Sequence, residues 1–355
     1  MKGKNKKYKK RDKNFENESH KAKKKYGQNF LNDSNLSDEI LNVANLDKET
    51  EVLEIGPGLG FLTEKLIEDS KFLTAFEIDD DLIPVLNKKF QGRDNFSLIH
   101  EDFMVADLST FLNGKKNIKV VANIPYYITS PIINKLIEYR KNISEIYLMV
   151  QKEVAERIAS EAGSKNMSLL THAVQFYADA EYLFTVPKEK FTPVPKVDSA
   201  FLKIKMFDDE RYEKQISEEE YFKYLKTAFS NKRKSIANNL SGEGYSKEVT
   251  GDILEKLGKT RLARTEEFSV QEFINLIEEL KKENISDKIF FDMKVTNFKE
   301  IYKNENINSV EIYCSTDKDG NEIIEWYKEK LNSTNSTDNA IGIWNNFEID
   351  VFFYK

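Results

Sequence analysis

The stretch "VANIPYYITSP", residues 121–131, begins inside an apolar run and carries side chains well suited to chemistry. The amide of Asn123 accepts hydrogen bonds, Pro125 fixes the backbone direction, and the ring of Tyr126 offers a flat surface for stacking. One explanation is purely structural, because proline stops a strand and asparagine suits a turn. The other is a site for a flat molecule with an amino group, and the segments around this stretch favour it.

A glycine-rich turn, "LEIGPGLG", lies between a predicted strand and a predicted helix. Its glycines allow a ligand to approach the backbone closely. The dinucleotide pattern G-x-G-x-x-G would need a glycine at position 61, which is Phe61, so a nicotinamide cofactor is a poor match. The form G-x-G-x-G after an acidic residue, here Glu54, is typical of S-adenosylmethionine sites. A plain tight turn remains the alternative.

Two acidic residues end the next two predicted strands. Glu77 follows Gly56 by 21 residues, a position from which a carboxylate accepts hydrogen bonds from ribose hydroxyls. Asp102 is placed to accept a hydrogen bond from an adenine amino group. Each acid alone is more often a surface carboxylate. Because the carboxyl ends of parallel strands meet at one edge of a sheet, the glycine turn, the two acids and Asn123 together predict one cofactor site.

At that edge Asn123 would face the reactive methyl group of the cofactor. An exocyclic adenine amine is a poor nucleophile, because its lone pair is delocalised into the ring. If the side-chain oxygen of Asn123 and the carbonyl of Ile124 accept its two hydrogens, the lone pair turns towards the methyl group. Tyr126 then stacks on the base, which must first leave its helical stack. The sequence thus predicts catalysis by positioning and alignment for in-line transfer.

The elements that would position these residues alternate from residue 51 onwards. Five segments predict strands ("EVLEIG", "FLTAFEI", "FSLIHED", "IKVVANI" and "EIYLMV"), and the segments between them have apolar residues at helical spacing. This alternation predicts an α/β, Rossmann-like fold with a parallel sheet covered on both faces. Two later segments, "EYLFTV" and "SAFLKIKMF", predict strands that close an edge of that sheet.

Charge and composition divide the chain into four parts. Residues 1–25 carry a net charge of +9 against −6 for the whole chain, so the remainder carries −15. This basic arm is predicted to be disordered, either as a tail that seeks polyanions or as a solubility tail. Residues 26–207 hold the α/β domain, and residues 208–284 predict a small all-helical domain. Aromatic and β-branched runs in residues 285–355 predict a strand-containing extension of unknown role.

Composition also argues against several classes of protein. No apolar run approaches the roughly 18 residues of a membrane span, and the lysine-rich beginning lacks the apolar core of a secretory signal. Cys314 is the only cysteine, which excludes an intrachain disulfide. His20, His100 and His172 have no ligand spacing, so no metal site is expected. We expect a cytoplasmic protein, and nothing in the sequence demands more than a monomer.

Four stretches occur in the order of one known family: "YGQNFLND", "NIPYYITSPII", "FTPVPKVDSAFLKI" and "AFSNKRKSIANNL". Together they resemble the KsgA-type small-subunit rRNA adenine dimethyltransferases over residues 24–284. The resemblance implies a class I methyltransferase that uses S-adenosylmethionine. Its expected activity is dimethylation at N6 of two adjacent adenines near the 3′ end of 16S rRNA, in the immature small subunit. The heavy basic arm and the tail from residue 285 depart from the family pattern.

The resemblance also implies residue roles. The following residues would bind the cofactor, the first two at its methionine end: Asn29, Leu31, Gly56, Glu77, Asp102 and Asn123. Phe191 would form a second aromatic wall of the adenine pocket, opposite Tyr126. Lys232, Arg233 and Lys234 would contact RNA from the helical domain, although a short charge run on a helix is often only a solvated face.

Two other functions compete with this one. The Erm-type methyltransferases resemble the same core but modify one adenine of the large-subunit rRNA, and the first and last of the four stretches favour the KsgA type over them. A second competitor is a binding module that acts as a checkpoint in ribosome assembly, for which methylation is secondary. The intact Asn123-Ile124-Pro125-Tyr126 sequence shows only that the chemistry has not been discarded.

Overall fold

The computed structural model describes residues 22–241, 245–292, 309–312 and 351–354. The chain divides into two compact units between Ser217 and Glu218, and each unit is described by itself. The division lies ten residues after the domain boundary that composition predicts at residue 207. Among the described residues, no helix is long and apolar enough to cross a membrane.

The strands of the first unit are β1 (Phe30–Leu31), β2 (Glu51–Ile55), β3 (Phe72–Glu77), β4 (Phe96–His100), β5 (Ile118–Asn123), β6 (Ile143–Gln151), β7 (Ala178–Val186), β8 (Phe191–Thr192) and β9 (Ser199–Met206). Its helices are α1 (Ser34–Ala44), α2 (Phe61–Asp69), α3 (Leu82–Lys89), α4 (Leu108–Leu112), α5 (Thr129–Glu138), α6 (Lys152–Ile158) and α7 (Leu169–Gln175). The second unit contains α8 (Glu218–Ala228), α9 (Ile236–Leu240), α10 (Lys247–Lys256), α11 (Val270–Asp292), β10 (Ser309–Ile312) and β11 (Val351–Tyr354).

Seven strands of the first unit form one sheet in the order β4-β3-β2-β5-β6-β9-β7. The five strands from β4 to β6 are parallel, and β9 and β7 are antiparallel to their neighbours. The α/β prediction and all seven predicted strands are confirmed. The chain builds outwards from β2 to β4 and then returns to place β5 on the other side of β2, which makes a topological switch point between β2 and β5.

The central strands are buried on both faces. Val52 and Leu53 of β2 are each about 2% exposed, and Val120 and Val121 of β5 are fully buried. Neighbouring residues of a strand point to opposite faces, so consecutive buried residues mean that both faces are covered. This explains why these segments are continuous apolar runs without polar alternation. A rigid sheet of this kind fixes the positions of the residues at its strand ends.

The helices of the second unit pack around buried aromatic and aliphatic side chains. Tyr221 of α8 and Phe273 of α11 meet edge to face, with ring centroids 5.6 Å apart. The sequence predicts continuous helical character from residue 221 to 240, but the structure breaks it between Ala228 and Ile236. The break has a local cause, because Asn231 accepts a hydrogen bond from the backbone N–H of Arg233 at 3.1 Å and so favours a turn.

The two ends of the described chain also differ from the boundaries that composition predicts. Residues Lys24–Tyr26 form a 3₁₀ turn, although residues up to 25 are predicted to be a disordered arm; residues 1–21 lie outside the described residues. Helix α11 continues to Asp292, past the predicted boundary at 284. In the extension, β10 and β11 pair in antiparallel fashion, which confirms that it contains strands. Most of the predicted residues 285–355 lie outside the described residues.

Candidate active site

A cavity of ≈ 320 Å³ lies at the carboxyl ends of β2, β3, β4 and β5, beside the switch point. It is lined by eight of the residues that the sequence singles out: Asn29, Leu31, Gly56, Glu77, Asp102, Asn123, Pro125 and Tyr126. Its size is in the range of small-molecule sites, and its position is where open α/β sheets bind ligands. The structure therefore brings the predicted strand-end residues together.

The glycine-rich turn connects β2 to α2 along one side of the cavity. Gly56 has a φ of +68°, in the left-handed region, and nothing lies within 4 Å of the position that a Cβ would occupy. Gly58 also has a positive φ, and a Cβ there would come within 2.9 Å of the Phe30 ring. The turn thus needs glycine for its backbone conformation and leaves open space beside Gly56.

Glu77 ends β3 with its carboxylate turned back onto the backbone. One oxygen accepts hydrogen bonds from the N–H groups of Ile78 and Asp79, both at 2.9 Å, and the other accepts from Gly58 at 3.2 Å. Burial raises the pKa of Glu77, although these N–H donors oppose the shift. The carboxylate is fixed in position, and the oxygen near Gly58 keeps capacity for a further donor.

Glu54 lies beside Glu77 in the cavity lining and is buried, with 2% exposure. Its Oε2 atom has no hydrogen-bond partner. Burial raises the pKa of Glu54 to about 8, the nearby negative charge of Glu77 adds to the shift, and Thr63 opposes it. At neutral pH this side chain is therefore mostly protonated. A neutral carboxyl group can lie next to the carboxyl group of Glu77 without charge repulsion.

Asp102 belongs to the loop after β4. Its Oδ1 accepts a hydrogen bond from Met104 N–H at 2.8 Å. Sequence reasoning missed the residue that holds this loop: the ammonium group of Lys135 donates to the carbonyls of Phe103 and Ala106, both at 2.6 Å, and to that of Met104 at 3.0 Å. Only the tertiary structure shows this contact, because a lysine in an amphipathic helix carries no signal of its partners.

Asn123, at the end of β5, donates its side-chain Nδ2 hydrogen bond to the backbone carbonyl of Asn29 at 2.9 Å. A carbonyl oxygen can only accept, so this contact fixes which end of the amide is nitrogen. The amide oxygen of Asn123 is left as an acceptor on the cavity side. The neighbouring residue Ile124 also lines the cavity.

Tyr126 is held with its ring in the cavity wall. Its hydroxyl forms a hydrogen bond with Ser199, the fully buried first residue of β9. Pro125 precedes the 3₁₀ turn Tyr126–Ile128 with extended backbone angles, so the chain changes direction at the rim of the cavity. Burial raises the pKa of Tyr126. The ring is thus pinned and neutral.

The segment of residues 22–31, which we call the N-terminal strap, covers the side of the cavity away from the sheet. Lys23 forms ion pairs with Asp79 and Asp81, and Gln28 donates a hydrogen bond to Asp79 at 2.8 Å. Burial acts to raise the pKa of Asp79, but the bonds from Lys23 and Gln28 outweigh it and lower the pKa. Leu31 at the other end of the strap pairs with Phe191 in the β1–β8 ribbon.

Phe191, which the resemblance places opposite Tyr126 as a second aromatic wall, keeps that role only as a prediction. Its ring is about 1% exposed, belongs to the hydrophobic core and is absent from the cavity lining. The pairing of Phe191 with Leu31 turns its backbone towards the strap, and the geometry favours a supporting position over a second aromatic wall opposite Tyr126.

The predicted basic patch lies in the second unit. Lys232, Arg233 and Lys234 occupy the turn between α8 and α9 and are exposed, so the expectation of a charge run on a helix face is wrong. Ser235 caps α9 directly after them through the N–H of Asn238. Within the described part of the chain, no group of three or more His, Cys, Asp or Glu side chains is arranged to hold a metal ion.

Comparison with known proteins agrees with this geometry. The family model "Ribosomal RNA adenine dimethylase" matches residues 19–282. The chain belongs to the ribosomal RNA adenine dimethylase family. The Ribosomal RNA small subunit methyltransferase A of Fusobacterium nucleatum is 52% identical over 258 residues, which is 72% of this chain and 97% of that protein. The protein of the same name from Streptococcus sanguinis is 41% identical over 272 residues, 74% of this chain and 93% of that protein.

Solved structures of the family share the fold. A dimethyladenosine transferase from Plasmodium falciparum has 28% identity and a TM-score of 0.61, covering 72% of this chain and 98% of its own. The 23S rRNA methyltransferase ErmE has 26% identity and a TM-score of 0.59, covering 71% of this chain and all of its own. The dimethylase is thus an S-adenosylmethionine-dependent rRNA adenine N6,N6-dimethyltransferase with a Rossmann-like class I methyltransferase fold.

Proposed function

We propose that the enzyme dimethylates N6 of each of two adjacent adenines near the 3′ end of 16S rRNA, in the immature small ribosomal subunit. We further propose that it acts as a monomer in the cytoplasm. The observation that carries this proposal is the orientation of Asn123, whose amide nitrogen is bound by the strap while its oxygen remains as an acceptor on the cavity side. Identity of 52% to a small-subunit enzyme supports the choice of substrate.

The residues around the cavity fit S-adenosylmethionine. Open space beside Gly56 admits a ligand against the backbone, and the unpartnered Oε2 of Glu54 offers a buried polar contact. We propose that Glu77 accepts hydrogen bonds from the ribose hydroxyls and that Asp102 accepts one from the adenine ring. Asn29 and Leu31 in the strap would cover the methionine end. Bound there, the cofactor supplies an electrophilic methyl group on a sulfonium centre.

The side chains at the end of β5 would prepare the target base for transfer. The amide oxygen of Asn123 and the carbonyl of Ile124 accept the two N–H bonds of the adenine amine, which directs its lone pair out of conjugation. The ring of Tyr126, held by Ser199, stacks on the base. Because Asn123 is neutral, it orients the amine without forming a salt bridge to the cationic cofactor. The strap sets the amide orientation, so closure over the cofactor and alignment of the base are linked.

The basic turn of the second unit would serve RNA binding. Lys232, Arg233 and Lys234 are exposed on a loop. Lysine and arginine side chains in this state gain affinity by displacing counterions from phosphates. We propose that this turn helps to hold the ribosomal particle without contributing to cofactor binding.

The test is to map methylated adenines in both ribosomal RNAs, using ribosomal particles from cells that lack the enzyme, before and after addition of the protein and S-adenosylmethionine. Dimethylation of two adjacent adenines in 16S rRNA is the expected result. Methylation of a single adenine in 23S rRNA would assign the enzyme to the Erm-type activity. Tight binding of immature small subunits without methylation would identify it as an assembly checkpoint only.

A further inference from the structure

Tyr127 differs sharply from its neighbour Tyr126, although both line the cavity. The Tyr126 hydroxyl is held by Ser199, whereas Tyr127 is 64% exposed. Among the described residues, Tyr127 is the single aromatic side chain in the group of exposed large apolar residues. A ring exposed at the mouth of a cavity offers apolar surface that a bound molecule can cover, and covering it is favourable.

The exposed ring is nevertheless held in place. One side of it lies against Gly27 of the strap, where a Cβ would come within 3.1 Å of two ring carbons. Gly27 has a φ of +62°, so glycine there serves both the backbone turn and the close approach of the ring. The contact restricts the ring, and its other side faces solvent at the mouth of the cavity.

Two lysines of the strap lie shortly before Gly27, the residue that this ring contacts. Lys24 and Lys25 directly precede Tyr26 and Gly27, and both are exposed. The ammonium group of Lys25 lies 4.3 Å from the centroid of the Tyr26 ring, and Tyr26 also lines the cavity. The acids in contact with this part of the strap, Asp79 and Asp81, are already paired with Lys23. An exposed aromatic ring with exposed lysines nearby is the arrangement that binds single-stranded nucleic acid.

We propose that Tyr127 is the stacking platform for the base next to the target adenine, and that Lys24 and Lys25 contact the phosphates beside it. Tyr126 and Tyr127 are adjacent and both line the cavity, so when the target base stacks on Tyr126 inside, Tyr127 is the aromatic ring exposed at the mouth, where the adjoining part of the RNA must pass. The inference rests on the proposed function, in which two adjacent adenines are modified. The platform would hold the second adenine while the first reacts.

The experiment uses the full-length protein with S-adenosylhomocysteine and a short single-stranded RNA that carries 2-aminopurine next to an adenine. Stacking on Tyr127 quenches the fluorescence of the probe. Wild type and Tyr127→Phe are expected to quench it, whereas Tyr127→Ala and Tyr127→Leu are expected to lose the quenching. Loss of one stacked base should weaken RNA binding about 5- to 150-fold. Each variant is compared at a concentration of S-adenosylhomocysteine that saturates it, as determined by calorimetry, so that a change in cofactor affinity does not enter the comparison.

Matched controls come from surfaces away from the cavity. Val85→Ala removes an exposed apolar side chain from α3 and should leave the quenching intact.

The double variant Lys24→Ala with Lys25→Ala tests the phosphate contacts and should reduce the slope of log RNA affinity against log salt concentration. Lys71→Ala with Lys116→Ala removes the same charge near the amino ends of β3 and β5, at the opposite edge of the sheet, and should not change that slope.

The outcomes separate this inference from the proposed function. With undermethylated small subunits, Tyr127→Ala should still modify one adenine but leave the adjacent one incompletely dimethylated. Suppose that wild type dimethylates both adenines, and that Tyr127→Ala quenches the probe and dimethylates both adenines as wild type does. The platform is then refuted, and the proposed function stands. If wild type fails to quench the probe at saturating RNA, the platform is refuted as well. If wild type leaves 16S rRNA unmodified, the proposed function itself is wrong.

Discussion

Two walls of the same cavity are built in different ways. On one side Glu77 and Asn123 stand at the ends of buried parallel strands, and their positions follow from the sheet. On the other side the first part of the N-terminal strap is held by side-chain contacts, chiefly Lys23 with Asp79 and Gln28 with Asp79, whereas its last two residues belong to the β1–β8 ribbon. The strand ends are fixed by the buried sheet, whereas the first part of the strap can detach by breaking a few polar contacts. The comparison suggests a fixed wall for recognition and a removable wall for cofactor exchange.

The largest effect is expected at the point where the two walls meet. Asn123→Ala removes both the strap contact and the acceptor for the amine, and should reduce methyl transfer by roughly 10²–10³, the usual effect of removing one such polar group. Particle binding should persist, because it depends on phosphate contacts. Asn134→Ala changes an exposed residue of α5 and serves as the control. Methyl incorporation near the wild-type rate in Asn123→Ala would refute the proposed role.

The fixed wall is tested by Glu77→Ala. A charge-assisted hydrogen bond to ribose would be lost, on the order of 1.5–3 kcal/mol, so S-adenosylmethionine affinity should fall by about that much. Asp80→Ala removes a carboxylate that is 80% exposed three residues later and should bind the cofactor normally. Calorimetry on both variants measures the difference. Equal affinities would remove Glu77 from the cofactor site.

The pH dependence of stability tests the burial of Glu54 in the same wall. Its folded pKa of about 8 lies above the ordinary value of 4.5 that applies in the unfolded chain. The stabilising contribution of the protonated form is complete below about 4.5 and is lost as pH rises to about 8. Glu54→Gln mimics the protonated form, so its free energy of unfolding should exceed that of wild type increasingly across this range. Denaturant titrations of both proteins at several pH values give the difference, and a constant difference would contradict the buried, protonated state.

A smaller effect is expected for the loop that carries Asp102. Lys135→Met removes three bonds to backbone carbonyls and should weaken cofactor affinity about tenfold, on the order of 1.5 kcal/mol, while kcat is mostly kept. Lys135→Arg should recover part of the affinity. Lys141→Met changes a lysine that is 79% exposed and should have no effect. A loss of kcat at unchanged KM for the cofactor would show that Lys135 does not act through this loop.

The smallest effect is expected at the removable wall. Lys23→Ala breaks the ion pairs with Asp79 and Asp81, so the strap should open more often and the cofactor should dissociate a few times faster. The affinity for RNA measured with saturating cofactor should change little. Stopped-flow release of the cofactor provides the measurement, with Lys71→Ala as the control. An unchanged rate would mean that the strap is held by its other contacts alone.

The sequence predicts the fixed wall better than the removable one. Apolar runs reveal buried strands, and a polar residue directly after such a run is readily recognised, which is how Glu77, Asp102 and Asn123 are found. The strap shows no such pattern, and only family resemblance points to Asn29 and Leu31. Sequence reasoning does not find Lys23 and Lys135, because each acts through a contact with residues that are distant in the sequence. For the basic residues 232–234, helical periodicity hides the turn that Asn231 introduces.

The reversed direction of β9 has a consequence for how this active site can vary. A parallel strand brings its last residue to the cavity edge, whereas β9 is antiparallel to β6 and brings its first residue, Ser199, which holds Tyr126. The chain therefore reaches the cofactor side of the cavity at the end of a strand, and it reaches the support for the target base at the beginning of one. The connection of residues 193–198, which follows β8, can change in length or composition and alter the base side, while the strand ends that hold the cofactor keep their places.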